Sequence, residues 1–187
     1  MINMDKKLDE QLCQDFPEIF RDRHGNMAET CMCWGFEVGN GWEPMIRLLC
    51  GRLMRPVHRL RDRIAEHRLV VAETPESEWT DWMREHFTQA RLAELEQQLA
   101  QAQAEIPVAV QVKEKFGGLR FYVHGGNDAV HQEIEWAQDL SYHVCEVCGT
   151  MQDVSVWNLG WVTTLCRAHA VEQYGEDAVQ AQAQTDQ

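Results

Sequence analysis

The chain has 187 residues, 44% of them hydrophobic, and a formal net charge of −13. That length and composition suit one globular domain of ordinary size, or a domain with a small appendage. No run approaches the ~18 consecutive apolar residues of a membrane-spanning helix, and the acidity excludes nucleic-acid binding through the overall field. The opening Met1–Lys7 leads into a charged stretch without a signal-like apolar run, so the expectation is a cytoplasmic protein without a membrane partner. In that reducing setting its seven cysteines are thiols or metal ligands rather than a disulfide framework.

In chain order, Leu8, Leu12, Phe16, Ile19 and Phe20 predict a short amphipathic helix ending at Pro17. Residues 24–43 form a glycine- and aromatic-rich segment with Trp34 and Trp42. Residues 44–68 predict a long helix with Pro44 near its start and Pro56 inside it. Along it Arg47, Arg52, Arg55, Arg59, Arg61, Arg63 and Arg68 outnumber Asp62 and Glu66. Residues 72–105 carry the opposite charge, with Ser77 as a candidate N-cap, so the pair is expected to form an antiparallel helical hairpin with complementary rims. Val108, Val110 and Val112 alternate, Gly117-Gly118 is the expected turn, and Leu119–Val123 returns, which predicts a β-hairpin over 107–124. A helix is expected over 129–143. From residue 176 the composition turns to Gln and Ala, and a disordered tail is expected through 187.

Cys145 and Cys148, then Cys166 and His169, give C-x2-C and C-x2-H pairs in two turns. That is the spacing of one tetrahedral zinc. Gly149 supports the first turn through its freedom to take positive φ. Four protein ligands leave no open position, so the expected Zn2+ is structural, and the last third is read as a zinc ribbon. Three further groups are weaker. Cys31 and Cys33 form a C-x-C, a candidate second thiol site, although ordinary buried apolar cysteines account for it better. Lys113, Lys115 and Arg120 interleave with Phe116 and Tyr122, which suits phosphate contact with base stacking, or a plain hairpin with a polar outer face. Gln111-Val112-Lys113 is a fragment of the acid-x-Lys arrangement of divalent-metal nucleases, without a strand-borne Asp upstream. No catalytic constellation presents itself.

Three blocks, Glu29–Glu37 with Gly41-Trp42, Gln111–Tyr122, and the ribbon with Gly160-Trp161 and Thr164–Cys166, resemble a group of uncharacterised small bacteriophage and prophage proteins. These share an ETCMCWG…GW block, a VKEKFGGLRFY block and a C-terminal zinc ribbon. The group pattern implies Gly-Asp-Gly-Trp where this chain has Gly39-Asn40-Gly41-Trp42.

The expected architecture is therefore α+β. An α+β domain over 1–142 holds a helical N-terminal part, the long helical hairpin and a small antiparallel sheet. A zinc-ribbon segment over 143–175 packs on it, and the tail is 176–187. The expected function is a non-enzymatic phage or prophage accessory protein in the bacterial host cytoplasm. It would bind a host protein or complex, as an inhibitor of a host defence or nucleic-acid-processing assembly. A nucleic-acid-binding module using hairpin 113–120 and a metal-dependent nuclease are the alternatives.

Overall fold

The computed structural model describes residues 3–185. The fold is α+β, with helices, a three-stranded sheet and a separate two-stranded sheet. The chain divides into two compact units: one runs to Arg52 and resumes at Pro107, and the other is Leu53–Ile106.

Helix α1 spans Lys6–Asp15, with the Asp5 side chain capping the Lys7 N–H. It stops before Pro17, as the sequence predicts. Its buried face carries Leu12 and, unexpectedly, Asp9. Arg23 grips that carboxylate with two hydrogen bonds of 2.9 and 3.0 Å and donates a third, at 3.2 Å, to the Cys33 carbonyl. The pair satisfies the polar groups of a segment that would otherwise bury them unpaired.

Strand β1 (Phe36–Glu37) lies parallel to β2 (Val108–Lys115), with Phe36 opposite Val112 and Glu37 opposite Lys113. Strand β3 (Gly118–His124) closes the sheet antiparallel to β2. The sheet is therefore mixed, not purely antiparallel. A register shift between Ala109 and Gln111 frees the Val110 carbonyl to accept the Cys31 N–H at 2.8 Å. This bulge ties the glycine–aromatic segment to the hairpin.

The hairpin turn falls one residue earlier than expected. Its two central residues are Phe116 and Gly117, with φ of 55° and 77°, both positive as a type I′ turn requires. Gly118 already belongs to β3, and a Cβ there would lie 2.4 Å from the Tyr142 ring. Gly118 is thus required for close packing, and the turn rests on Phe116.

Helix α2 (Glu43–Glu73) is longer than expected and runs through Pro56, which withholds the N–H that would reach the Arg52 carbonyl. In the second unit the expected single helix over 72–105 is broken. Pro75 and the extended Trp79 interrupt it. Thr80 caps α3 (Asp81–His86), and Thr88 caps α4 (Gln89–Ala104). These threonines, not Ser77, set the helix starts. Arg68 and Glu96 join α2 to α4 at 2.6 Å, which is the expected charge complementarity. His67 is buried and packs against Phe87, with 5.2 Å between ring centroids.

In the first unit, Trp42, Leu12, Ile19, Met32, Ile46, Leu49 and Leu119 are fully buried. Phe20 packs edge-on against Phe36 at 5.0 Å. Helix α5 (Asp128–Ser141) is capped by Asn127 and packs on β3. There the Ser141 hydroxyl accepts the Leu119 N–H at 2.9 Å.

The C-terminal segment pairs β4 (Val154–Asn158) antiparallel with β5 (Val162–Cys166), followed by α6 (Arg167–Tyr174). The expected disordered tail is instead helix α7 (Glu176–Thr185). Gly175, at φ 86°, turns the chain between α6 and α7. Val179 is fully buried in a cluster with Trp157, Leu165 and Ala170. The Gln182 side chain accepts the Asn158 N–H at 2.9 Å and donates to the Val156 carbonyl at 3.0 Å. An apolar anchor, an amide against an open strand edge and the ion pair of Glu176 with Arg167 thus hold a segment whose composition lacks an apolar stripe. Residues 186–187 of that expected tail lie outside the described residues.

Candidate metal centre

Cys145 and Cys148 lie on a tight turn, Cys166 ends β5, and His169 stands on the first turn of α6. Their ligand atoms all lie within 4.8 Å of one another. The His169 Nδ1 is 3.1 Å from the Cys166 Sγ and 3.6 Å from the Cys145 Sγ, and the sulfurs of Cys148 and Cys166 are 4.0 Å apart. A tetrahedral ion with bonds of about 2.3 Å to sulfur needs sulfurs about 3.8 Å apart. Three thiols and an imidazole at these separations can hold a metal ion, and they are the four residues the sequence spacing selects.

The backbone prepares the site. Burial acts to raise the Cys145 thiol, but N–H groups of Cys166, Cys148 and Val147 aimed at its sulfur outweigh that and bring it down to about 7. Desolvation and the neighbouring Cys145 and Cys166 thiols raise Cys148 instead. A cation among the sulfurs removes that mutual penalty. Gly149 takes φ 75° and donates to the Cys145 carbonyl at 2.8 Å, the role expected of it.

A second layer, invisible in the spacing, comes from the distant Gly39–Trp42 segment. Gly39 N–H donates to the Glu146 Oε1 at 2.9 Å, and Gly41 N–H donates to the Glu146 carbonyl at 2.8 Å. The Trp42 indole donates to the Val144 carbonyl at 2.8 Å. A Cβ at Gly39 would lie 2.3 Å from the Glu146 oxygen, and one at Gly41 would lie 2.3 Å from the Cys145 oxygen. Both glycines are therefore required by close backbone approach. Glu146 is buried, and desolvation pushes its carboxyl up to about 7 against the Gly39 hydrogen bond. Asn40, where the resembled group implies Asp, accepts the Asp5 N–H through its side-chain oxygen at 2.7 Å.

The remaining candidates fall elsewhere. Cys31 is exposed, and the Cys33 thiol donates to the Thr30 carbonyl at 3.2 Å. Among the described residues, the C-terminal quartet is the one group of three or more His, Cys, Asp or Glu side chains placed to share an ion. Lys113, Lys115 and Arg120 do share a sheet face with Tyr122. Lys113 stands 5.8 Å from the Tyr122 ring centre, and Lys115 stands 5.3 Å from that of Phe116. Arg120 is half-buried and donates to the Tyr142 hydroxyl at 3.0 Å and to the Leu119 carbonyl at 2.7 Å. Gln111 donates to Glu37 at 3.1 Å, so an acid from β1 stands beside the Gln111-Val112-Lys113 fragment.

The sequence marks the hairpin tip by its basic and aromatic residues but gives no sign that Trp161 joins it. Phe116 is 66% exposed and Trp161, on the β4–β5 turn, is 64% exposed. Together with Glu114, Lys115, Gly160 and Val162 they line an open pocket of about 380 Å³. The tip is anchored on the ribbon by the Thr164 hydroxyl, which donates to the Gly117 carbonyl at 2.5 Å. A non-glycine residue at positive φ costs about 1–2 kcal/mol. The exposed Phe116 ring recovers little of that by burial.

No helix among the described residues is long and apolar enough to cross a membrane. Comparison with known protein families, curated proteins and solved structures finds no match.

Proposed function

We propose that this is a non-enzymatic binding protein: a phage or prophage accessory protein that acts in the bacterial cytoplasm on a host protein or complex. Inhibition of a defence or nucleic-acid-processing assembly is the sharper form of that reading. The ion is Zn2+, held by Cys145, Cys148, Cys166 and His169, and its role is structural because four protein donors fill a tetrahedral shell. The observation that carries the reading is the pair of exposed aromatic side chains, Phe116 and Trp161, presented on two hairpin tips fastened by Thr164 and Gly117. Exposed aromatics on a rigid support are what interface anchors require. The test is affinity capture from bacterial lysate, with and without nuclease, read by mass spectrometry. A stoichiometric host protein that survives nuclease supports the reading. Recovery of nucleic acid alone overturns it.

A second reading, a nucleic-acid-binding module, has one observation in its favour: Lys113, Lys115 and Tyr122 share the outer face of the hairpin. Salt-dependent retention on single-stranded DNA or RNA, lost on Lys113→Glu with Lys115→Glu, would establish it.

A further inference from the structure

We propose that the pocket between Phe116 and Trp161 is a receptor for an arginine side chain from a basic segment of a partner protein. This rests on the reading of the chain as a protein-binding protein and names the chemistry its tip selects.

Three observations converge on a planar cation. The first is the pocket lining, which sets two exposed aromatic rings beside one carboxylate. Ring faces attract cations, most strongly planar guanidinium, which also stacks on them. The second is the state of Glu114. Its Oε1 accepts the Gly117 N–H at 2.6 Å and its Oε2 faces the Trp161 indole N–H at 3.5 Å. These contacts orient the carboxylate at the pocket wall, with one oxygen toward the hairpin turn and the other toward the edge of the Trp161 indole. An ionised carboxylate has about four acceptor positions, so an incoming guanidinium finds an oriented acceptor. The third is that Lys115, on the rim, already holds its ammonium 5.3 Å from the Phe116 ring centre. The ring face draws a cation from its own chain, and a better-fitting one displaces it. The net charge of −13 steers a basic segment toward the molecule.

The backbone supports a binding role for Phe116. It occupies the first central position of the turn, where Asn, Asp or Gly is favoured, and exposes most of its ring. A side chain that strains the turn without being buried is one retained for what it meets outside the chain.

The test uses the full zinc-loaded chain and blocked pentapeptides, Gly-Gly-Arg-Gly-Gly and its citrulline counterpart, which keeps the shape and removes the charge. The Trp161 indole N–H resonance is followed by NMR. The Arg peptide should shift it saturably, and the citrulline peptide should not. Glu114→Gln and Phe116→Asn should each weaken the Arg peptide at least tenfold. Phe116→Asn should also raise the melting temperature by about 2–4 °C by relieving the turn, which separates lost binding from lost folding. Lys115→Met should tighten the Arg peptide severalfold. Equal response to both peptides, silence to both, or loss of binding on Lys115→Met would overturn the proposal. Stronger response to a nucleoside monophosphate would overturn it too. A host protein still captured by Glu114→Gln would leave the broader reading standing and remove only this receptor.

Discussion

The carbonyl of Glu146 accepts the Gly41 N–H at 2.8 Å from inside the metal-binding turn. The turn that carries two ligands is thereby a strand-like partner for a segment more than a hundred residues earlier. Gly41→Ala places a methyl group 2.3 Å from the Cys145 oxygen and 2.5 Å from the Gly149 nitrogen. Both are backbone atoms of the turn and cannot move aside cheaply. The expected loss is about 2–4 kcal/mol, read by urea denaturation, with weaker metal retention. Gly51→Ala, in α2 with nothing within 4 Å of the new methyl, should instead gain about 0.5–1 kcal/mol. Equal effects at the two positions would discard the close-approach argument.

Metal removal should propagate the same way. The ribbon core includes two of the ligands, Cys145 and Cys166, packed with Trp157, Leu165 and Val179, so coordination and folding are linked. Cys166→Ser or Cys148→Ser should abolish stoichiometric metal binding and lower the melting temperature by about 10 °C or more. Hydrogen exchange should show lost protection in the Cys145–Gly149 turn and also at Gly39 and Gly41, which donate to it. Protection kept at Gly39 and Gly41 in a metal-free variant would show that the clasp forms without the ion.

The metal quartet was legible because its four residues sit in two local turns whose spacing is itself the geometry. Long-range pairings were not. Nothing in Phe36-Glu37 announces a parallel partner in Val112-Lys113, and nothing in Gly39–Trp42 announces Glu146. Local turn chemistry pointed to Gly117-Gly118, but the Tyr142 ring over Gly118 claims that glycine, so Phe116 takes the strained place. The C-terminal helix α7 is not legible in its composition because Val179, the Gln182 amide on an open strand edge and the Glu176 ion pair with Arg167 hold it. No periodic stripe encodes such contacts. The helical hairpin was half legible: charge complementarity survives as Arg68 with Glu96, while Pro75, Thr80 and Thr88 break the second limb.

The pair of buried Asp9 and half-buried Arg23 should be costly to break. Asp9 also accepts the Phe36 N–H at 3.3 Å, so Asp9→Ala leaves a backbone donor unpaired and the Arg23 guanidinium with the Cys33 carbonyl in place of a carboxylate. A loss of about 3–5 kcal/mol is expected, measured by chemical denaturation. A loss under about 1 kcal/mol would mean that water replaces the carboxylate without penalty.

Thiol reactivity should divide by environment. Burial, reinforced by the Asp9 carboxylate, pushes the Cys13 thiol up to about 12; the fully buried Cys50 is raised as well, by desolvation. The thiolate is the reactive form. With a value near 12 in place of 9, Cys13 holds about a thousandfold less thiolate at pH 8 than an ordinary thiol. Its alkylation rate should climb with pH up to about 12, since each unit below that value costs tenfold in thiolate. Iodoacetamide at pH 8, followed by peptide mass spectrometry, should label the exposed Cys31 first and leave Cys13 and Cys50 nearly untouched. Cys145, Cys148 and Cys166 should react only after a chelator strips the ion. Labelling of Cys148 at the rate of Cys31 in zinc-loaded protein would show that no ion shields its sulfur, and the structural-zinc reading would fall with that result.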